Sequence, residues 1–364
     1  MNTNAPSDRP GDGSHGAPAP AGPPAAGDAT AAATGPRPDA LPDYLEARRR
    51  ALPYDLGWRP DTDPAAWREG LRAIWRDLLP PIGATGTAAP DGAVALRHAT
   101  GAVATGRLTL PPGPGPHPGV VLFHEHGGAF ATGWEKLHDH PASARTRAAL
   151  YGGRAVARAC AAAGMATLTC DAPCFGRRQA GGHAGQQALA ASATALGWSL
   201  AGLAAAEAAG AADWLAAHPR IARVGTFGFS MGAVGAWSAA ALSPRVAATA
   251  ALGWMACRAD LMAPGRPLLA GHSAWHFVHP GLSHRADFPD LAGLGADRPM
   301  FLRSGRGDRH MPEVSVAQAW HRIAAIAAVS GARPPDTAFH DAGHTCPPAT
   351  LDEAVAFLAH HLAA

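Results

Sequence analysis

Three side chains in this sequence have the types, order and surroundings for nucleophilic acyl chemistry: Ser230, Asp308 and His344. A serine hydroxyl attacks poorly at neutral pH, so it needs a base, and the base needs a partner that orients it. Ser230 sits in Gly228-Phe229-Ser230-Met231-Gly232, between a strand-like apolar run, Ala222 to Phe227, and a small-residue helical stretch, Ala233 to Leu242. Strand, Gly-x-Ser-x-Gly, helix is the nucleophile-elbow pattern. Glycines on either side let the chain fold sharply, the serine is held in strained backbone, and N–H groups at the helix start face an anion. With 43 glycines in 364 residues, chance gives roughly 0.2 such pentapeptides per chain. The flanking strand and helix are therefore what make the motif informative.

The acid and base are placed by strand ends. In an open parallel sheet the chemistry gathers beyond the C-terminal ends of the strands. The run Met300 to Leu302, continuing to Ser304, leads into Gly305-Arg306-Gly307-Asp308, so Asp308 is the candidate acid; Asp260, Asp287, Asp290 and Asp297 do not directly follow an expected strand. The last run, Thr337 to His340, leads into Asp341-Ala342-Gly343-His344, which makes His344 the candidate base. His310 is too close in sequence to Asp308 to be held by it across strands. A developing oxyanion needs two backbone donors, one after the nucleophile and one from the loop after an earlier strand. These are Met231 and, in His124-Glu125-His126-Gly127-Gly128, the N–H of His126 or of Gly127. His124, Glu125, His126, His138 and His140 also invite a metal reading. One strand-to-loop segment cannot easily wrap two His-x-His pairs around one ion without carboxylates from elsewhere, so no metal and no cofactor is expected.

The elements that must position these residues alternate. Continuous apolar runs at Gly119 to Phe123, Met165 to Cys170, Ala222 to Phe227 and Val246 to Leu252 suit strands buried on both faces. Helical stretches at about Gly153 to Ala163, Leu200 to Ala217, Ala233 to Leu242, Glu313 to Val329 and Leu351 to Leu362 separate the later runs. The alternation predicts an α/β fold with a doubly wound, mostly parallel sheet. Ahead of it come extended runs at Ala93 to Ala99 and Gly106 to Leu110. Earlier still, Trp67, Leu71, Ile74, Trp75 and Leu78 fall at helical spacing after an Asp63 cap and Pro64, and Pro80-Pro81 stops that helix. Residues 41–90 thus read as a helical N-terminal extension of one domain, 41–364. Residues 1–40, rich in Ala, Gly and Pro, read as a disordered tail because they lack the apolar surface to offset their ordering entropy.

Composition narrows the function. A net charge of +2 with no basic run beyond Arg48-Arg49-Arg50 argues against nucleic acid as the main partner. Five cysteines without a CxxC pair suit reduced thiols. No apolar leader is visible and no uncharged run reaches membrane-spanning length. A cytoplasmic protein with a small-molecule partner and no membrane partner is expected; oligomeric state cannot be read.

With these residues placed, the chain resembles an α/β-hydrolase, and most closely the dienelactone-hydrolase-like and acetyl-xylan-esterase-like branch. The resemblance rests on His124-Glu125-His126-Gly127-Gly128, Gly133-Trp134-Glu135-Lys136, Tyr151-Gly152-Gly153-Arg154, Asp171-Ala172-Pro173, Phe175-Gly176-Arg177-Arg178, Gly197-Trp198-Ser199-Leu200, the elbow, and His279-Pro280-Gly281 with Asp287-Phe288-Pro289-Asp290. It spans about Pro42 to Ala364. It implies a serine esterase acting on a small acyl or acetyl group; a lactonase or peptidase on the same triad, or a binding protein on this scaffold, are the alternatives. Dienelactone hydrolases proper use a cysteine nucleophile, and this chain has Ser230. In that relative a loop glutamate meets the nucleophile, so Glu125 either tunes Ser230 or the pocket, or pairs with an arginine such as Arg177. Glu125, Trp198 and Trp275 are candidate pocket residues.

Overall fold

The structure is a computed structural model and describes residues 40–266 and 268–363. The tail 1–40 lies outside these apart from Ala40. Nine strands form one sheet in the order β1-β2-β3-β5-β4-β6-β7-β8-β9. They are β1 Ala84–Ala88, β2 Ala93–His98, β3 Val103–Thr109, β4 His117–Phe123, β5 Ala166–Cys170, β6 Ile221–Phe229, β7 Val246–Leu252, β8 Met300–Gly305 and β9 Asp336–His340. The first three strands and β5 pair antiparallel, and every pairing from β5 across to β9 is parallel. The sheet is thus mostly parallel with an antiparallel meander at one edge.

The α-helices are α1 Asp43–Arg50, α2 Pro64–Asp77, α3 Ala144–Tyr151, α4 Val156–Ala162, α5 Gly182–Ala195, α6 Leu200–Ala216, α7 Met231–Leu242, α8 Arg258–Leu261, α9 Phe288–Gly293, α10 Glu313–Ala328 and α11 Pro348–Leu362. They cover both faces. Val120, Leu122, Phe227 and Phe229 pack with Val156 and Cys160 of α4 and Leu351 and Leu358 of α11. The alternate residues Val121 and Val224 pack with Ala208 and Ala212 of α6 and Ala239 of α7. This two-residue alternation between opposite cores is what a strand buried on both faces must show.

The N-terminal stretch differs from an all-helical extension. Residues 41–90 hold α1 and α2, then β1, which pairs with β2 through Ala84 to Ala88. Ala-Thr-Gly-Thr-Ala has too little apolar alternation to signal a strand; it becomes one because β2 offers an unpaired edge. Helix α2 matches its expected stripe: Asp63 accepts from Ala66 N–H at 2.7 Å, and Trp67, Leu71 and Trp75 are buried. Trp75 lies against Trp237 of α7, with ring centroids 6.3 Å apart. Arg72 and Arg76 donate to the Ala241 and Leu242 carbonyls at the C-terminal end of α7, where a cation is favoured by the helix dipole. Among the described residues, no single helix is long and apolar enough to cross a membrane.

Candidate active site

The elbow forms as a strand-to-helix turn without a linker. β6 ends at Phe229, α7 starts at Met231, and Ser230 alone bridges them with φ 56° and ψ −124°. That conformation costs a non-glycine residue on the order of 1–3 kcal/mol. The glycines are dictated by contact. A Cβ on Gly228 would overlap Gly232 O, and a Cβ on Gly232 would overlap Phe123 O. The first closes the turn on itself, and the second seats it against the end of β4. The helix begins two residues earlier than the expected Ala233, because Ser230 occupies the N-cap position itself.

The acid and base loops leave neighbouring strand ends. β8 and β9 are parallel, with Gly305 opposite His340. Arg306 N–H donates to His340 O at 2.9 Å. Gly305 lies against the backbone of 342 and 343, so closely that a Cβ there would overlap the Ala342 and Gly343 carbonyls. These contacts bring Asp308 and His344 into one cluster with Ser230. His344 Nδ1 lies 2.7 Å from Asp308 Oδ2, and His344 Nε2 lies 2.8 Å from Ser230 Oγ. With Asp308 ionised, Nδ1 is the donor, so Nε2 presents a lone pair to the serine hydroxyl. The Asp308 side chain is 1% exposed and that of His344 16%: the carboxyl is sealed and the imidazole is partly open. Asp308 Oδ1 accepts from His310 N–H at 2.8 Å. The His344 ring lies between Phe229 and His310, at centroid distances of 4.9 and 4.7 Å. His310 therefore enters the site as a backbone donor and a ring wall, contacts that its two-residue separation from Asp308 permits.

The rival aspartates have structural work. Asp287 and Asp290 form the capping box of α9, and Asp290 also binds Arg322 at 2.7 Å. Burial pushes the Asp287 carboxyl up to about 6, against the pull of Arg258.

The candidate oxyanion donors are unpaired. Met231 is the first residue of α7, whose leading N–H groups have no partner within the helix. Among the described residues, neither the His126 nor the Gly127 N–H donates a hydrogen bond. The histidines of this loop are engaged elsewhere. His124 Nδ1 donates to Glu125 O at 2.9 Å and its Nε2 accepts from Ala172 N–H at 3.1 Å. His126 Nδ1 accepts from Gly128 N–H, so Nε2 must be its donor, to Gln186 Oε1 at 2.9 Å. His138 Nε2 meets Thr169 at 3.1 Å and His140 Nδ1 accepts from Ala142 N–H. Burial holds the imidazoles of His124 and His126 well below their ordinary range. No group of three or more metal-ligating side chains converges among the described residues.

Among the described residues Glu125 makes no hydrogen bond to Ser230 or Arg177, and it does not line the cavity beside the elbow. It is fully buried; Tyr151 Oη donates to its Oε2 at 2.5 Å, and Oε1 has no partner. Arg177 instead donates its backbone N–H to Asp171. Tyr151 ends α3, a helix whose single buried arginine and tyrosine leave no readable stripe. An apolar-walled cavity of about 70 Å³ adjoins the elbow, lined by Met231, Gly232, His124, His276 and alanines of α6. Trp198 and Trp275 are each 37% exposed and neither lines it. His276, next to Trp275, does so instead. Its Nε2 shares Gln186 Oε1 with His126, at 3.1 Å.

Comparisons with known proteins agree on the architecture. No family model matches the chain, and no curated protein matches it. Among solved structures it is similar to a protein of Bacteroides fragilis assigned as an acetyl xylan esterase (17% identity, 84% of each chain covered, TM-score 0.62). A glucuronoyl esterase of Teredinibacter turnerae matches at 16% identity over 89% of this chain and 93% of that one, TM-score 0.56. An acetyl xylan esterase of Thermoanaerobacterium matches at 17% identity over 89% of this chain and all of that one, TM-score 0.51. At such identities the likeness is one of fold. With a nine-stranded, mostly parallel sheet and a Gly-x-Ser-x-Gly turn at the end of β6, the chain has the α/β-hydrolase fold.

Proposed function

We propose that this protein is a serine hydrolase that cleaves carboxylic esters with a small acyl or acetyl group. Ser230 Oγ attacks the ester carbonyl while His344 Nε2 takes its proton. Asp308 holds the imidazole in the right tautomer and stabilises its charged form. The tetrahedral oxyanion is held by Met231 N–H with that of His126, or of Gly127 in its place. Collapse expels the alkoxide, which takes the proton from His344. Water, deprotonated by the same imidazole, then releases the acid from Ser230. The chemistry asks for no metal or organic cofactor.

The observation that carries this reading is the unbroken relay of two hydrogen bonds, Asp308 to His344 to Ser230, at 2.7 and 2.8 Å. The structural likeness to esterases supports the ester class. The small acyl group is what the resemblance implies; the small cavity beside Met231, with six alanines and two glycines among its lining residues, is compatible with it. The reading includes a cytoplasmic location, checked by fractionation, and a small-molecule ester as partner.

The test is turnover of p-nitrophenyl acetate together with labelling by a fluorophosphonate probe. Ser230→Ala should abolish both, with turnover reduced on the order of 10⁴-fold or more. Labelling that persists in the variant would remove Ser230 from the nucleophile's role. Lactones and dipeptide amides assayed beside the ester separate the lactonase and peptidase readings.

A further inference from the structure

Of the 30 Lys and Arg residues, 29 are arginine; Lys136 is the only lysine in the sequence. Its side chain is the one lysine ammonium of the sequence, and Lys136 is 0% exposed. Lys136 Nζ donates to Glu125 O at 2.8 Å and to His126 O at 2.9 Å. It also lies 4.3 Å from the centroid of the Phe175 ring. Its charge is balanced within the core by Glu125, with Asp171 and Glu135 further contributing.

The two carbonyls that Lys136 grips belong to the peptide units 125–126 and 126–127. Both are trans, since the cis bond of the described chain is Gly115-Pro116. In a trans peptide the C=O and N–H of one unit point in opposite directions across its plane. Fixing the two carbonyls on the Lys136 side therefore aims the N–H groups of His126 and Gly127 away from it. These are the two unpaired N–H groups that serve as candidate oxyanion donors. A hydrogen bond accepted at a peptide's oxygen also polarises its N–H into a stronger donor.

We infer that Lys136 is a positioning residue for the oxyanion loop: one buried ammonium sets two consecutive peptide planes and strengthens their N–H groups toward the transition state. The inference rests on the esterase reading above and deepens it. A compact ammonium suits the task. Its donors converge on two adjacent carbonyls from one atom, whereas a planar guanidinium needs a wider fork and more volume. Burial pushes the Lys136 pKa down to about 8, so the group is still mostly charged at neutral pH.

The test uses the full-length protein with p-nitrophenyl acetate and a fluorophosphonate. Wild-type protein that turns over ester and is labelled at Ser230 sets the reference; inert wild type overturns the esterase reading and this role together. Lys136→Met is expected to lower kcat about 10- to 100-fold, with KM within about threefold and phosphonylation slowed in parallel. A folded Lys136→Met protein with wild-type kcat overturns the role of Lys136 alone. Should that variant not fold, wild-type protein labelled with ¹⁵N at the lysine side chain decides, because it gives a single side-chain resonance. Phosphonylation of Ser230 must shift that resonance, since the phosphoryl oxygen then sits across the two peptides that Lys136 holds. An unmoved resonance overturns the inference.

Discussion

Two halves of the candidate site are held in different ways. The half that carries Ser230, Asp308 and His344 is built by backbone against backbone. Gly228 meets Gly232 O, Gly232 meets Phe123 O, and Gly305 meets the carbonyls of 342 and 343. The oxyanion half is built by side chains against backbone. Lys136 holds the carbonyls of Glu125 and His126, and Tyr151 holds Glu125, all three side chains being fully buried. Steric contact between backbones leaves a trace in sequence, because it demands glycine at fixed offsets. A buried network of side chains leaves none, because its members Glu125, Lys136 and Tyr151 come from the loop after β4, the turn around Lys136 and α3, related only by the fold. The first half tolerates little change in shape, and the second little change in charge.

Breaking each half should give distinct symptoms. The largest effect is expected from Asp308→Asn, which keeps the shape but favours the wrong tautomer of His344. It should reduce kcat about 10⁴-fold with little change in thermal stability. Asp290→Asn, made at the rival carboxylate, should instead lower the melting temperature and spare kcat, since it disturbs the α9 capping box and Arg322. The reverse pattern would exchange their roles. Next comes Tyr151→Phe, which leaves Glu125 Oε2 buried without its donor. A loss of about 1–3 kcal/mol in denaturant unfolding is expected, with Ser230 labelling retained. Unchanged stability would mean that Glu125 finds another partner.

The smallest effect near neutrality is on acid stability, and its sign follows from burial. Burial pushes His276 and His279 down to about 3 and His138 to about 4, from an ordinary 6.5. The folded protein keeps these rings neutral while the unfolded chain takes up protons below about pH 6.5. Their stabilisation is complete above that pH and is lost as pH falls through 4 toward 3. Asp287 opposes this between about 3.8 and 6, because its raised value makes the folded state the better proton acceptor there. The buried histidines, His124 and His126 among them, outweigh Asp287 and the likewise raised Asp171, so the denaturant midpoint should fall from pH 7.5 to pH 5, by ~1 kcal/mol or less per histidine at pH 6. A midpoint that rises over that interval would contradict this balance.

Much of the site could be read before the fold was known. The elbow needs a strand, a Gly-x-Ser-x-Gly and a helix in contiguous order, and all three are local. Asp308 and His344 were legible because each directly follows a recognisable apolar run. The helix α5, Gly-His-Ala-Gly-Gln-Gln-Ala-Leu and onward, was not, since its alanines give no clear stripe. Yet it supplies Gln186, which ties His126 to His276. The tryptophans at 198 and 275 drew notice by size, while the neighbouring histidine at 276 reaches the cavity.

By itself the sequence determined the α/β alternation, the elbow and the order of the three candidate side chains, because period, glycine offset and chain order are properties of neighbours. What holds the oxyanion loop was decided only in three dimensions. The partners of Lys136, Glu125 and Tyr151 are chosen by which groups burial strips of water together, and a charge without solvent must bond to whatever the fold places beside it.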